Sequence, residues 1–265
     1  MKNIWLVVPC YNEEEVLPET SKQLKNVMSS MIENGKISPE SKIAFVNDGS
    51  KDNTWNIISA LCTDDGIFAG INLSRNKGHQ NALLAGLMTA KKYADAVISL
   101  DADLQDDVDA IEKMVDNFIA GDDIVYGVRS SRKKDTFFKR FTAEGFYKFM
   151  AAMGVEIVFN HADYRLMSRR ALDALSEFDE VNLFLRGIVP QIGFRTSTVE
   201  YERKERLAGE SKYPLKKMLS FAFEGITSFS VRPLKIATTL GIFSLLVCLA
   251  MLIYCIVSKA TGHAV

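Results

Sequence analysis

Five short apolar runs, each followed by a stretch with helical spacing, leave this chain few ways to fold. Ile4–Val8, Ile43–Asn47, Ile67–Asn72, Ala96–Leu100 and Ile124–Gly127 read as buried strands. Residues near 16–33, 54–62, 79–92 and 107–120 space their apolar side chains three and four apart, as in Leu24, Val27, Met28, Met31 and Ile32. This alternation predicts an α/β fold, a mostly parallel sheet with helices on both faces. No repeat or low-complexity tract interrupts it.

A chain of 265 residues with 48% apolar content is large enough for one such domain plus an appendage. The net charge of −1 gives no general nucleic-acid partner, although Lys and Arg crowd between Arg129 and Lys235. Cys10, Cys62, Cys248 and Cys255 have no C-x-x-C spacing and read as reduced thiols. Ile236–Val257 runs 22 residues without a charge. As a helix that is about 33 Å, enough for a hydrocarbon core of about 30 Å, so one transmembrane helix is expected. Lys216, Lys217, Arg232 and Lys235 precede the span and Lys259 alone follows it. The positive-inside rule then puts residues 1–233 on the cytoplasmic side of a cell membrane.

Each expected strand end carries a polar cluster. The first four are Pro9 to Glu13, Asn47 to Ser50, Asn72 to Gly78, and the pair Asp101 and Asp103. Open α/β sheets bind ligands beyond the carboxyl ends of their strands, so four clusters at one edge make a site. Asp101 and Asp103 leave the same side of an extended segment and offer hard oxygen ligands suited to Mg2+ or Mn2+. The plainer alternative is a solvated strand end, with Asp106 and Asp107 capping the next helix. Gly49 and Gly78 allow tight turns, and the helix after Gly78 offers N–H groups to an anion. Neither G-x-G-x-x-G nor G-x-x-x-x-G-K-[ST] is present, which disfavours dinucleotide enzymes and P-loop NTPases. His79, His161 and His263 are scattered and read as structural or solvated rather than as metal ligands.

Beyond the sheet, Arg129, Arg132, Lys133, Lys134, Lys139 and Arg140 are interleaved with Phe137, Phe138, Phe141 and Phe146. Such a segment suits a nucleic acid or a membrane surface, and a span in the same chain favours the membrane. Asp163 stands before another expected helix, as a cap or salt bridge. Residues 203–213 read as a lid-like loop. Pro214–Val231 reads as an interfacial amphipathic helix, with a core helix as the even alternative.

P-C-Y-N-E-E, N-D-G-S-x-D-x-T, N-x-G, D-A-D-L-Q-D, G-x-R-x-x-R, D-Y-R-L-M and R-x-x-G-x-S-K-Y occur in this order over residues 4 to about 235. Together they resemble the inverting family 2 glycosyltransferases, and among them the polyprenyl-phosphate type that includes bactoprenol glucosyltransferases and dolichyl-phosphate mannose synthases. The resemblance implies a GT-A fold, a nucleotide-sugar donor with UDP preferred to GDP, a divalent ion, and polyprenyl phosphate as acceptor for a hexose. It implies that Pro9, Tyr11, Glu13 and Asp48 hold the base and ribose, and that Asp101 sits at the ribose and diphosphate. Asp103 and Gln105, with Asp101, would ligate Mg2+ or Mn2+. Arg129, Arg132 and Arg140 would meet the acceptor phosphate, Arg206, Ser211 and Lys212 would close over the donor, and Asp163 matches a carboxylate proposed as catalytic.

The expected layout is a cytoplasmic GT-A domain over 1–212, an interfacial helix over 213–233, a span over 234–258 and a tail over 259–265. Bactoprenol-type members generally carry two spans, so truncation before a second one is expected, and a homo-oligomer built through the spans is left open. Two rivals fit the sequence less well. A processive polysaccharide synthase needs Q-x-x-R-W, and the only tryptophans are Trp5 and Trp55. A non-catalytic, membrane-tethered nucleotide-sugar binder would go with loss of Asp103 or of the Arg cluster, and both are present.

Overall fold

A computed structural model describes residues 1–130, 161–178, 185–202 and 232–261. Among them are seven strands: β1 (Ile4–Cys10), β2 (Lys42–Asn47), β3 (Phe68–Asn72), β4 (Ala96–Ser99), β5 (Ile124–Arg129), β6 (His161–Ser168) and β7 (Thr196–Tyr201). They form one sheet in the order β3-β2-β1-β4-β6-β5-β7. The pairs β1/β2, β2/β3, β1/β4 and β5/β7 are parallel. Only β6 runs the other way, antiparallel to both β4 and β5.

Strand periodicity divides the core in two. Ile4, Leu6, Val8 and Cys10 of β1 enter one cluster, and Trp5 and Val7 enter the other. The first cluster is covered by α1 (Leu17–Glu33), α2 (Thr54–Asp64) and α4 (Ala110–Ile119). On α1 the buried Leu17, Leu24, Met28 and Met31 form a single stripe, each contributing about 1.5–3 kcal/mol on burial. The second cluster is covered by α3 (His79–Ala90), α5 (Arg169–Leu175) and the single turn α6 (Leu185–Ile188). Gly86 lets α3 lie close on the sheet, since a Cβ there would stand 2.4 Å from Val7 Cγ1. That packing fixes where the first turn of α3 meets the strand ends.

The five expected strands and four expected helices all form. Asp163–Ser168 is different, because it belongs to β6; the expected helix follows at Arg169, and Ser168 rather than Asp163 caps it. A strand buried on both faces ordinarily reads as a continuous apolar run. Here Asp163 and Arg165 interrupt the run, yet both are buried, because their charges neutralise one another inside the sheet.

The last helix, α7 (Arg232–Ala260), contains a 27-residue stretch, Leu234–Ala260, within which an 18-residue window has a mean hydropathy of 2.8. At 1.5 Å per residue it reaches about 40 Å, long and apolar enough to cross a membrane. Its large apolar side chains, from Leu234 to Val257, are exposed. Residues 203–231, including most of the expected interfacial helix, lie outside the described residues.

Candidate active site

The chain leaves β1 for β2 and β3 on one side, while β4 lies on the other side of β1. The carboxyl ends of β1 and β4 therefore flank the crevice at which open α/β sheets bind ligands. Because β6 is antiparallel, its amino end reaches the same edge. The register Ser99↔Arg165, continued two residues, sets Asp163 across from Asp101.

On the β1–β3 side the loops are stitched by their own polar side chains. Asn12 takes a left-handed backbone (φ 53), its N–H donating to Ser50 Oγ at 3.0 Å and its Oδ1 accepting from Lys51 N at 2.8 Å. The Glu13 N–H donates to Thr54 Oγ1 at 2.9 Å. Asp48 is 2% exposed, and its carboxylate accepts from the backbone N–H groups of Lys77 (2.6 Å) and Gly78 (2.9 Å). This carboxylate, expected against base and ribose, also clamps the loop before α3. Gly49 (φ 64) is required beside it, since a Cβ would stand 2.6 Å from Arg75 C and Asn76 N. Tyr11 and Glu13 remain half-buried at the crevice, while Pro9 is buried within β1.

On the β4 side the chain turns sharply after Asp103. Leu104 adopts φ 54, a conformation that a bulky residue holds only when its surroundings impose it, and its side chain is buried. The turn lets the Gln105 N–H donate to Asp103 Oδ1 at 3.1 Å. Withdrawal from water pushes the Asp101 carboxyl up, and the Asp163 and Asp103 carboxylates add to this against the pull of His79. With 42% of its side chain exposed, repulsion among the three carboxylates is the firmer cause. Burial, then the charge of Asp101, raises Asp106 to about 6, against the hydrogen bond from Tyr201.

Excess negative charge beside hard oxygen donors from Asp101, Asp103 and Gln105 fits a divalent cation. Among the described residues no three Asp, Glu, His or Cys side chains form a ready-made cage. Mg2+ does not need one, since it commonly takes one or two carboxylates and completes its shell with water and substrate phosphate.

Asp163, on β6 beyond β4 in the sheet, is the most heavily engaged carboxylate in the site. Arg165 Nη2 donates to Oδ1 at 2.8 Å, and Arg186 donates from Nε at 3.3 Å and from Nη2 at 3.1 Å. His79 Nε2 stands 3.5 Å from Asp163 Oδ2 and 3.7 Å from Asp101 Oδ1, at the first residue of α3. Gln80 Nε2 contacts Asp163 Oδ2 at 3.4 Å, and its Oε1 accepts from Leu185 N at 3.2 Å, tying α3 to α6. Burial alone would raise the Asp163 carboxyl, but the charge of Arg186 and the contacts from His79 and Arg165 outweigh it and hold it well below the usual carboxylate range. Burial would lower His79; its hydrogen bond to Asp163 and the charges of Asp101 and Asp163 raise it instead.

The family model of glycosyl transferase family 2 matches residues 5–176, from β1 through α5. The chain belongs to glycosyl transferase family 2. This family 2 transferase is 54% identical over 258 residues to YkoT, an uncharacterized glycosyltransferase of Bacillus subtilis (strain 168), covering 97% of this chain and 77% of that one. It is 43% identical over 242 residues to the bactoprenol glucosyl transferase of Shigella phage SfV, covering 91% of this chain and 76% of that one. Its fold is similar to that of glucosyl-3-phosphoglycerate synthase from Mycobacterium tuberculosis in complex with phosphoglyceric acid. That match has a TM-score of 0.50 and 15% identity, over 86% of this chain and 79% of the other. The mixed seven-stranded sheet with helices on both faces is thus the GT-A arrangement.

In the transferase, Tyr11, Glu13, Asp48, Gly78, Asp101, Asp103, Gln105, Arg129 and Asp163 gather at one sheet edge, with Pro9 just inside it. Arg132, Arg140, Arg206, Ser211 and Lys212 lie outside the described residues. The site also holds residues that the sequence reading missed. His79, taken there as structural or solvated, stands between the carboxylates of Asp101 and Asp163, and Arg165 and Arg186 hold Asp163. One signal for Arg186 was available: it is the only charge in the run Val181 to Val189.

Proposed function

We propose that this glycosyltransferase transfers a hexose from a nucleotide sugar, UDP-linked, to polyprenyl phosphate in the membrane, with inversion at the anomeric carbon. The observation that carries the reading is the setting of Asp163. A carboxylate committed to two arginines and a histidine, and held far below its ordinary pKa, is a poor general base. A hydroxyl acceptor would need a base within reach, whereas a phosphate monoester has a second pKa near 6 and is already ionised at about pH 7.5. The likeness to bactoprenol glucosyl transferases and the 27-residue apolar helix support the same acceptor.

On this reading Tyr11 and Glu13, with Pro9 behind them, line the nucleotide crevice, and Asp48 and Gly78 shape its wall. Asp101, Asp103 and Gln105 would hold Mg2+ or Mn2+, which when bound supplies positive charge at the donor diphosphate. Arg129, with Arg132 and Arg140, offsets the repulsion between the acceptor phosphate and the donor. An oxygen of the lipid phosphate then forms a bond to the anomeric carbon while the bond to the nucleotide diphosphate breaks on the opposite face. Asp163 keeps Arg186 in place and takes no proton. Arg206, Ser211 and Lys212 close over the donor. Residues 1–212 form the cytoplasmic catalytic domain, 213–233 lie at the interface, and 234–258 cross the cell membrane.

The test is a panel of UDP- and GDP-sugars incubated with the protein in vesicles with and without undecaprenyl phosphate. The reading expects a glycosyl phosphoryl lipid, formed only with undecaprenyl phosphate and in step with nucleoside diphosphate release. A polymer formed without lipid phosphate, or no product from any donor, would overturn it.

A further inference from the structure

Tyr201 ends β7, and its side chain joins three parts of the site that the chain brings together from far apart. It is 3% exposed, and its hydroxyl donates to Asp106 Oδ1 at 2.6 Å. Arg129 at the end of β5 stands opposite Tyr201 in the β5/β7 register, and its charge reaches the same hydroxyl. Its backbone carbonyl accepts from Ser130 N at 3.0 Å and Ser130 Oγ at 3.2 Å, so β5 and β7 are locked together one residue past Arg129. Its ring meets Tyr164 edge-on at 5.3 Å, and the Tyr164 hydroxyl donates to the Asp107 carbonyl at 3.0 Å. The loop that carries Asp101 and Asp103 is therefore held at Asp106 by one tyrosine and at Asp107 by the other.

Packing does not account for the hydroxyl, because a phenylalanine would fill the same space. The hydroxyl holds Asp106 and sits beside Arg129, and each of these keeps an unused buried atom: Asp106 Oδ2 and Arg129 Nε are both buried with no hydrogen-bond partner among the described residues. The direction of the Arg129 fork therefore depends on Tyr201. A guanidinium recognises phosphate through a planar pair of donors, so its direction matters as much as its charge.

We propose that Tyr201 is a positioning residue for the acceptor, whose hydroxyl, held by Asp106 and set beside Arg129 by the β5/β7 register, aims Arg129 and ties the acceptor side of the site to the loop after β4. This rests on the reading that Arg129 meets the lipid phosphate.

The experiment uses the full chain in vesicles containing undecaprenyl phosphate, with the nucleotide sugar found active in the panel. Tyr201→Phe, Arg129→Lys, Arg129→Ala and the double variant Tyr201→Phe/Arg129→Lys are compared with wild type in KM for undecaprenyl phosphate and in affinity for UDP. Tyr201→Phe is expected to raise the acceptor KM about five- to tenfold, the scale of one hydrogen bond, and to leave UDP affinity within about twofold. The double variant should be little worse than the worse single variant, because both changes act through Arg129. A melting temperature within about 4 °C of wild type shows that the phenylalanine variant is folded.

An acceptor KM unmoved by Tyr201→Phe but raised by Arg129→Ala sinks the inference alone. Equal losses for acceptor and UDP, or effects that multiply in the double variant, also sink it. An acceptor KM unmoved by Arg129→Ala overturns the assignment of Arg129 beneath it.

Discussion

Asp163→Asn tests the electrostatics of the site most severely. Asp163 and Arg165 are paired at 2.8 Å with side-chain exposures of 6% and 1%. Asparagine keeps the shape and one acceptor oxygen but removes the charge. That leaves the Arg165 cation buried without a carboxylate in contact among the described residues. Breaking a buried pair from one side costs about 3–5 kcal/mol. Arg186, 37% exposed, adds little, because solvent screens it. With roughly 2–4 °C per kcal/mol for a domain of this size, the melting temperature should fall by roughly 6–20 °C. Arg165→Met should cost less, because Asp163 would keep Arg186 and His79.

The pH dependence has a definite sign. The folded-state pKa of Asp163 lies below its unfolded value, so its stabilisation is present above the ordinary carboxylate range and lost as pH falls through the depressed value. The gap between wild type and Asn variant should be widest at about pH 5 to 6.5, shrink in part at higher pH as His79 gives up the proton that Asp163 helps it keep, and narrow again below about pH 4. Thermal melts in detergent across that range provide the check. An Asn variant melting within about 2 °C of wild type, or a larger loss for Arg165→Met, would refute the account of this pair.

Gly49→Ala should push the Arg75–Asn76 backbone away and loosen the Asp48 clamp, lowering UDP affinity roughly tenfold by the ~1–3 kcal/mol such strain stores; titration calorimetry with UDP returning an unchanged affinity would count against it. Asp103→Ala should remove turnover and the response to manganese together, by orders of magnitude in rate. An alanine variant still stimulated by manganese to wild-type activity would remove Asp103 from the metal site. Without residues 234–265 the protein should fold and bind UDP but turn over vesicle-borne acceptor poorly, since the helix supplies local concentration rather than chemistry; an unchanged rate on vesicles would show that it is no anchor.

Much of the sheet could be read from the chain because β1, β2, β4 and β5 are buried on both faces and keep apolar runs of strand length. Their polar ends pointed to one edge for the same reason: a residue just beyond a buried strand must meet solvent or a ligand. β6 escaped because Asp163 and Arg165 cancel each other only in three dimensions, and a pattern read along one strand shows two charges where a core strand should have none. β7 escaped as a short edge strand in which only Val199 and Tyr201 turn inward. His79 could not be placed from spacing, since its partners Asp101 and Asp163 come from strands that only the antiparallel register brings side by side. Asp48 could be placed at the edge, but nothing in N-D-G-S announces that the Lys77 and Gly78 N–H groups will donate to its oxygens.

The central claim is that the acceptor arrives as an ionised phosphate and that no side chain has to remove its proton. The most direct measurement is kcat/KM for undecaprenyl phosphate against pH, at saturating donor and divalent ion, for wild type and Asp163→Asn. The account predicts an acidic limb near pH 6 in both proteins, set by the acceptor's own second ionisation, with the Asn variant lower in rate but unchanged in shape. A wild-type limb well below pH 6 that disappears in the Asn variant would make Asp163 the base and contradict the account.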